Sequence, residues 1–200
     1  MRRIFVLSLL LTLAMPAGMA LADGLEAGGM EFEPVITVTT EDGEHELRCT
    51  GTALRKKWFF KVYAIAAYLD QGTETGEDAG ATFVDADSPK RLHLHMLRGV
   101  DSSKIVSSIN EALEKCSTSP VEGIAEEREL FVQAFSMEKL NEGQDILFTW
   151  IPGTGLQISV DDEVLETIDS EAFGRSFFEI YFGPSPVNDG MKKDLLELVG

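Results

Sequence analysis

Residues 55–70 read RKKWFFKVYAIAAYLD. Three cations lead into a run that is apolar except for Lys61, with Tyr63 and Tyr68 carrying its only hydroxyls. From Trp58 to Leu69 the even positions are all apolar or aromatic, and the odd positions nearly so. Aromatic and β-branched content ahead of the Leu69-Asp70-Gln71-Gly72 exit favours a strand covered on both faces, although a buried helix of this length has a similar pattern. The spacing therefore predicts a long central strand over 58–69. Arg55 then stands just ahead of an apolar layer, where a guanidinium needs a partner or serves a ligand. The alternative is a solvated Arg-Lys-Lys cluster that guards the start of a hydrophobic strand.

The flanks extend an antiparallel sheet on both sides. Upstream, VITVTT (35–40) is rich in β-branched residues, Asp42-Gly43 is a hairpin signal, and His45 to Thr50 resumes an extended pattern. Gly51 lets the backbone turn or bulge before the central strand. Residues 23–33 read as a loose acidic lead, and 71–82 as a surface loop or frayed helix. RLHLHMLR (91–98) alternates cleanly, with Leu92, Leu94 and Met96 on one face. His93 and His95 on the other face are spaced to hold a metal, but no third ligand is evident, and exposed strand histidines are the expectation.

From Asp101 the pattern turns helical, with Ile105, Ile109, Ala112, Leu113 and Cys116 on one stripe, and a second helix is predicted over 125–140. Three short strands follow, over 145–151, 156–160 and 164–168, joined by Pro152-Gly153 and an acidic corner. Ser170 caps a helix whose Phe173, Phe177, Ile180 and Tyr181 read as core, and Met191, Leu195 and Leu196 dock a last short helix.

The first 22 residues have the form of a secretory leader: Arg2 and Arg3, an apolar core from Ile4 to Met15, and Ala20-Leu21-Ala22 before the expected cleavage. One domain over 23–200 and a periplasmic location are expected. No later stretch approaches the roughly 20 apolar residues of a spanning helix, so no stable membrane insertion is expected after cleavage. Without Arg2 and Arg3, 15 of the 17 basic residues face 34 acids, a net charge of −19. Such acidity argues against nucleic acid, and equally against an anionic membrane surface. Cys49 and Cys116 could form one disulfide in an oxidising compartment, or remain buried thiols.

Nucleophile elbows, phosphate loops, dinucleotide fingerprints, His-Glu-x-x-His and Cys-x-x-Cys motifs are all missing, so neither cofactor nor metal is expected. Three blocks carry a resemblance instead: GTALRKKWFFKVYAIAAYLD (51–70), PKRLHLHMLRGVDSSK (89–104) and AFGRSFFEIYFGPSPVNDGMKKDLL (172–196). In order, they resemble the chalcone isomerase-like family, in particular its exported bacterial branch. The resemblance implies an α+β fold, an antiparallel β-sheet backed by helices in an open-faced β-sandwich.

The family includes intramolecular lyases that close a chalcone to a flavanone, fatty-acid-binding proteins, and members without known activity. The resemblance makes Arg55 the family arginine, which holds a phenolate in the enzymes and a carboxylate in the binders. It implies ligand-binding roles for Tyr63, Ser103, Asn110 and Thr167. It departs on the first long helix, where the enzymes' catalytic Tyr position falls on Ser102 or Ser103. Three functions follow: a non-enzymatic binder of a small amphipathic anion such as a fatty acid, a chalcone-type isomerase with Arg55 as catalytic residue, or a structural partner protein with a closed cleft.

Overall fold

The computed structural model describes residues 25–161 and 163–199. The predicted leader therefore lies outside the described residues. Strands β1 (Glu26–Ala27) and β2 (Met30–Glu31) form a small hairpin where the sequence suggested only a loose lead. Then come β3 (Val35–Thr40), β4 (Gly43–Lys57), β5 (Phe60–Asp70), α1 (Ala79–Asp85), β6 (Lys90–Met96), β7 (Val100–Asp101) and α2 (Ser102–Cys116). A short 3-10 turn leads into α3 (Ala125–Ala134), followed by β8 (Lys139–Leu140), β9 (Asp145–Ile151), β10 (Gly155–Val160), β11 (Glu163–Ile168), α4 (Glu171–Phe182) and α5 (Asp189–Leu195). The second helix predicted over 125–140 thus stops early, and its end joins β7 as β8.

Seven strands form one antiparallel sheet in the order β11-β10-β9-β6-β5-β4-β3. The predicted central strand is real from Ala64 to Leu69, where every residue is fully buried. Its start is not. Chain direction reverses at Trp58-Phe59, so β4 runs through Arg55 and pairs it with Tyr63. Trp58 has φ 61°, in the left-handed region where a bulky side chain is uncommon. A two-residue turn needs such a conformation, and no Gly, Asn or Asp marked it in the sequence.

Two bulges set the side-chain parity of this hairpin. Cys49 pairs with Tyr68 and Gly51 with Ala67, which leaves Thr50 as an extra residue on β4. Thr50 Oγ1 donates to the Leu195 carbonyl (2.8 Å) and its carbonyl accepts from Leu198 N–H (3.0 Å), which docks α5 on the bulge. A side chain at Gly51 would strike the Asp194 carbonyl, so the close approach requires glycine. On β5, Arg55 pairs with Tyr63 but Lys56 with Lys61, so Val62 is the extra residue. Arg55, Lys57, Phe60 and Tyr63 consequently share one face, and Lys61 turns to the other, where its ammonium donates to the Gly28 carbonyl.

The core lies mainly between the sheet and its helices. Leu92, Leu94, Met96, Phe148 and Ile158 from the sheet meet Leu113, Phe131, Phe177 and Phe182 from α2, α3 and α4. The opposite face has a smaller cluster, in which Ala27 and Phe32 from the N-terminal lead cover Leu47, Ala66 and Tyr68. Ser170 caps α4 as its sequence suggested, accepting from Phe173 N–H. The buried Glu179 carboxylate accepts from Thr118 N–H (2.7 Å) and Oγ1 (2.5 Å), which fixes the end of α2 against α4. Lys90, buried beneath α1, donates to the carbonyls of Phe83, Val84 and Ala86 at 2.8–2.9 Å and so satisfies the free end of that helix.

Candidate functional site

A cavity of about 500 Å³ opens between the β4–β5 hairpin, α2 and α4. That size lies within the range of small-molecule sites, roughly 300–1,000 Å³. Its inner wall is apolar and buried: Leu94 from β6, Phe148 from β9, Ile109 and Ala112 from α2, and Ile180 from α4. Exposed residues, Lys57, Trp58, Phe60 and Arg98, surround its mouth. Arg98 stacks over Phe60 with its guanidinium carbon 4.7 Å from the ring centre.

Polar atoms converge on one place in this apolar space. Arg55 and its cross-strand partner Tyr63 both line the cavity, and Tyr181 reaches in from α4. The hydroxyls of Tyr63 and Tyr181 are close enough for hydrogen bonding between them to enter the ionisation of both. Burial raises the pKa of Tyr63, against the smaller lowering by the Tyr181 hydrogen bond and the Arg55 charge. Burial also raises Tyr181 well above the usual phenol value, and Tyr63 adds to the effect while Arg55 opposes it. Both phenols are therefore protonated at neutral pH, and the one that does not donate to the other keeps its O–H for a ligand. Among the described residues no carboxylate forms an ion pair with Arg55. The one acid in the cavity lining, Asp101, is held by Lys104 at 2.6 Å.

The other residues expected at the site lie elsewhere. Ser103 is exposed on α2 about 200° around the helix from Ile105, away from the cavity. Ser102 is buried and its hydroxyl has no hydrogen-bond partner among the described residues, but it does not line the cavity either. Asn110 faces α3 and accepts from Arg128 Nε at 3.0 Å. Thr167 sits on the edge strand β11, four strands from β5, roughly 19 Å at ordinary interstrand spacing. Tyr181 is the residue that sequence reasoning missed, having been assigned to the core. Its signal was a lone hydroxyl on an otherwise aromatic and aliphatic stripe, which a buried phenol must satisfy.

His93 and His95 face away from Leu94 and are half-buried rather than exposed. They share one oxygen of Asp145, at 2.9 and 2.7 Å. Among the described residues no group of three His, Cys, Asp or Glu side chains is arranged to hold a metal. Cys49 and Cys116 are both buried free thiols in separate core clusters.

The family profile described as chalcone isomerase-like matches residues 24–197. The chain belongs to the chalcone isomerase-like family. Among solved structures, the crystal structure of a fatty-acid binding protein from Arabidopsis thaliana superposes with a TM-score of 0.66. It is 19% identical, and the match covers 86% of this chain and 93% of that one. The likeness shows the shared chalcone isomerase-like fold, a curled seven-stranded antiparallel sheet backed by helices. No curated protein matches the sequence.

Proposed function

We propose that this chalcone isomerase-like protein binds a small amphipathic anion of the fatty-acid type without transforming it. The observation that carries the reading is Arg55, a cation without a carboxylate partner among the described residues, set beside two protonated phenols at an apolar cavity. In such surroundings a carboxylate accepts from the guanidinium and from the free phenol O–H of the pair with little competition from water, and its hydrocarbon chain lies along Leu94, Ile109 and Phe148. The fold-mate from Arabidopsis, a fatty-acid binding protein, supports the same ligand class. The leader-like first 22 residues support an exported, periplasmic binder, which recovery of a chain beginning at Asp23 from that compartment would test.

The test is native mass spectrometry of the purified protein with added palmitate, and of its Arg55→Ala and Arg55→Lys variants. Loss of a charge-assisted hydrogen bond worth about 1.5–3 kcal/mol should weaken binding roughly 10- to 100-fold in Arg55→Ala. Arg55→Lys should recover part of it, since the charge returns without the planar fork. Equal palmitate occupancy in all three proteins would sink the proposal.

A second reading is favoured by the Tyr63–Tyr181 pair: an intramolecular lyase in which the phenols polarise a ketone and Arg55 holds a phenolate. Loss of chalcone absorbance above the buffer rate would favour it. The size of the cavity counts against the reading in which the cleft is filled by its own side chains.

A further inference from the structure

We propose that the tip of the β4–β5 hairpin is a membrane-docking element that seats on an anionic phospholipid surface. Trp58, Phe59 and Phe60 are 86%, 96% and 60% exposed, the three most exposed large apolar side chains of the described residues, and they are consecutive. Contiguous exposed aromatics cost solvation free energy unless something covers them. Trp58 also holds the left-handed backbone of the turn, where glycine or asparagine is the unstrained choice. A bulky aromatic kept there at a conformational cost is suited to a role outside the folded core.

The charge around the tip selects the partner. Lys56, Lys57 and Lys61 flank the aromatics, and Arg98 stacks on Phe60. From residue 47 to residue 69 there is no Asp or Glu, although the whole chain has 34. Net acidity, which taken alone argues against an anionic surface, therefore conceals a segregated basic and aromatic end. Charges elsewhere on the molecule are screened beyond a Debye length of roughly 10 Å at 0.1 M salt. Rings sunk at headgroup depth with lysines extended to phosphates make the arrangement by which peripheral proteins hold a bilayer. Each basic side chain near such a surface multiplies binding about fivefold.

Docking by the tip has a geometric consequence. Lys57, Trp58 and Phe60 belong both to the tip and to the cavity mouth, so a docked molecule turns its opening toward the lipid. The docking itself rests on the tip and is independent of what occupies the cavity.

The test is co-sedimentation with large vesicles of phosphatidylcholine alone or mixed with phosphatidylglycerol, using the native protein, Trp58→Gly, Phe59→Ser, and the triple variant Lys56→Gln, Lys57→Gln, Lys61→Gln. Native protein should sediment with the anionic vesicles at 0.1 M salt, at least tenfold less at 0.5 M salt, and not with the neutral ones. Both aromatic variants and the triple variant should reduce binding at least tenfold. Trp58→Gly removes the left-handed strain, so it should melt no lower than the native protein, which separates docking from folding. Brominated lipids should quench native fluorescence and leave Trp58→Gly, with only buried Trp150, unquenched. A native protein that stays in the supernatant, or variants that sediment as well as it does, would overturn the proposal. So would a dimer that dissociates on Phe59→Ser, since the tip would then be covered by a second copy.

Discussion

The phenols of Tyr63 on β5 and Tyr181 on α4 come together beside Arg55, so the sheet and the helical layer each bring a hydroxyl to the same polar spot in the cavity wall. The contact ties the ligand-facing polar group to the closure of the fold. Removing either hydroxyl strands its partner in an apolar space. Tyr181→Phe should weaken palmitate binding about five- to tenfold and cost about 1 kcal/mol of stability, the ordinary worth of one hydrogen bond. Paired titrations of binding and urea unfolding would check both. A loss of stability without a loss of affinity would assign the pair to architecture alone.

The same burial makes the phenols reluctant acids. The chain has three tyrosines, and burial raises the pKa of each of them, Tyr68 included. Near pH 10, where exposed phenols are half ionised, the native protein should show little tyrosinate absorbance, and the urea-unfolded chain about half of its full amount. The unfolded state then binds fewer protons than the native one. These groups therefore withdraw stability as pH climbs past 10.

Lys90 contributes with the opposite slope. Burial lowers its pKa from 10.5 to about 8, against the raising effect of Asp85 and Asp87. Below pH 8 it is charged in both states and carries its desolvation cost. Between about 8 and 10.5 the unfolded chain holds a proton that the native one has released, so stability rises with pH over this window. Comparison with Lys90→Met isolates the effect. The difference in unfolding free energy between native protein and variant should shift in favour of the native protein by about 3 kcal/mol across that window. The variant should be less stable throughout, because three carbonyls at the end of α1 lose their donor.

Gly51→Ala should destabilise by about 2–4 kcal/mol, because the new methyl collides with the backbone at Asp194 and Leu195. The damage should begin locally. Hydrogen exchange should show α5 losing protection before the sheet does, since Thr50 and Gly51 form its landing site.

The two thiols should be silent in the native state. Burial pushes Cys49 up to about 11 and raises Cys116, so neither presents a thiolate near neutral pH. A colourimetric thiol reagent at pH 8 should label neither cysteine until urea is added and then both, and a reducing agent should leave Tm unchanged.

Much of the fold was legible because alternation and capping are local. Leu92, Leu94 and Met96 declared the buried face of β6, and Ser170 declared the start of α4. The Trp58-Phe59 turn was not legible, because aromatic content reads as burial and the usual turn residues are absent. At the site, Arg55 and Tyr63 could be placed from neighbouring stretches of chain, since cross-strand partners in one hairpin are close in sequence. Tyr181 comes from more than a hundred residues away, and only the packing of α4 over the sheet brings it there. Asn110 and Thr167 failed for the complementary reason. Helix rotation and strand order decide where they point, and neither is a property of the residue itself.

The unpaired Val62 gives chain length a chemical meaning at the cavity mouth. Because β5 holds one residue more than its partner there, Phe60 turns toward the opening and Lys61 away from it. Gain of a single codon in β4 opposite Val62 would restore regular alternation and exchange the two, placing an ammonium where a phenyl ring now stands while every original side chain stayed the same. An insertion, and not only a substitution, is thus a route by which this scaffold can change what it admits.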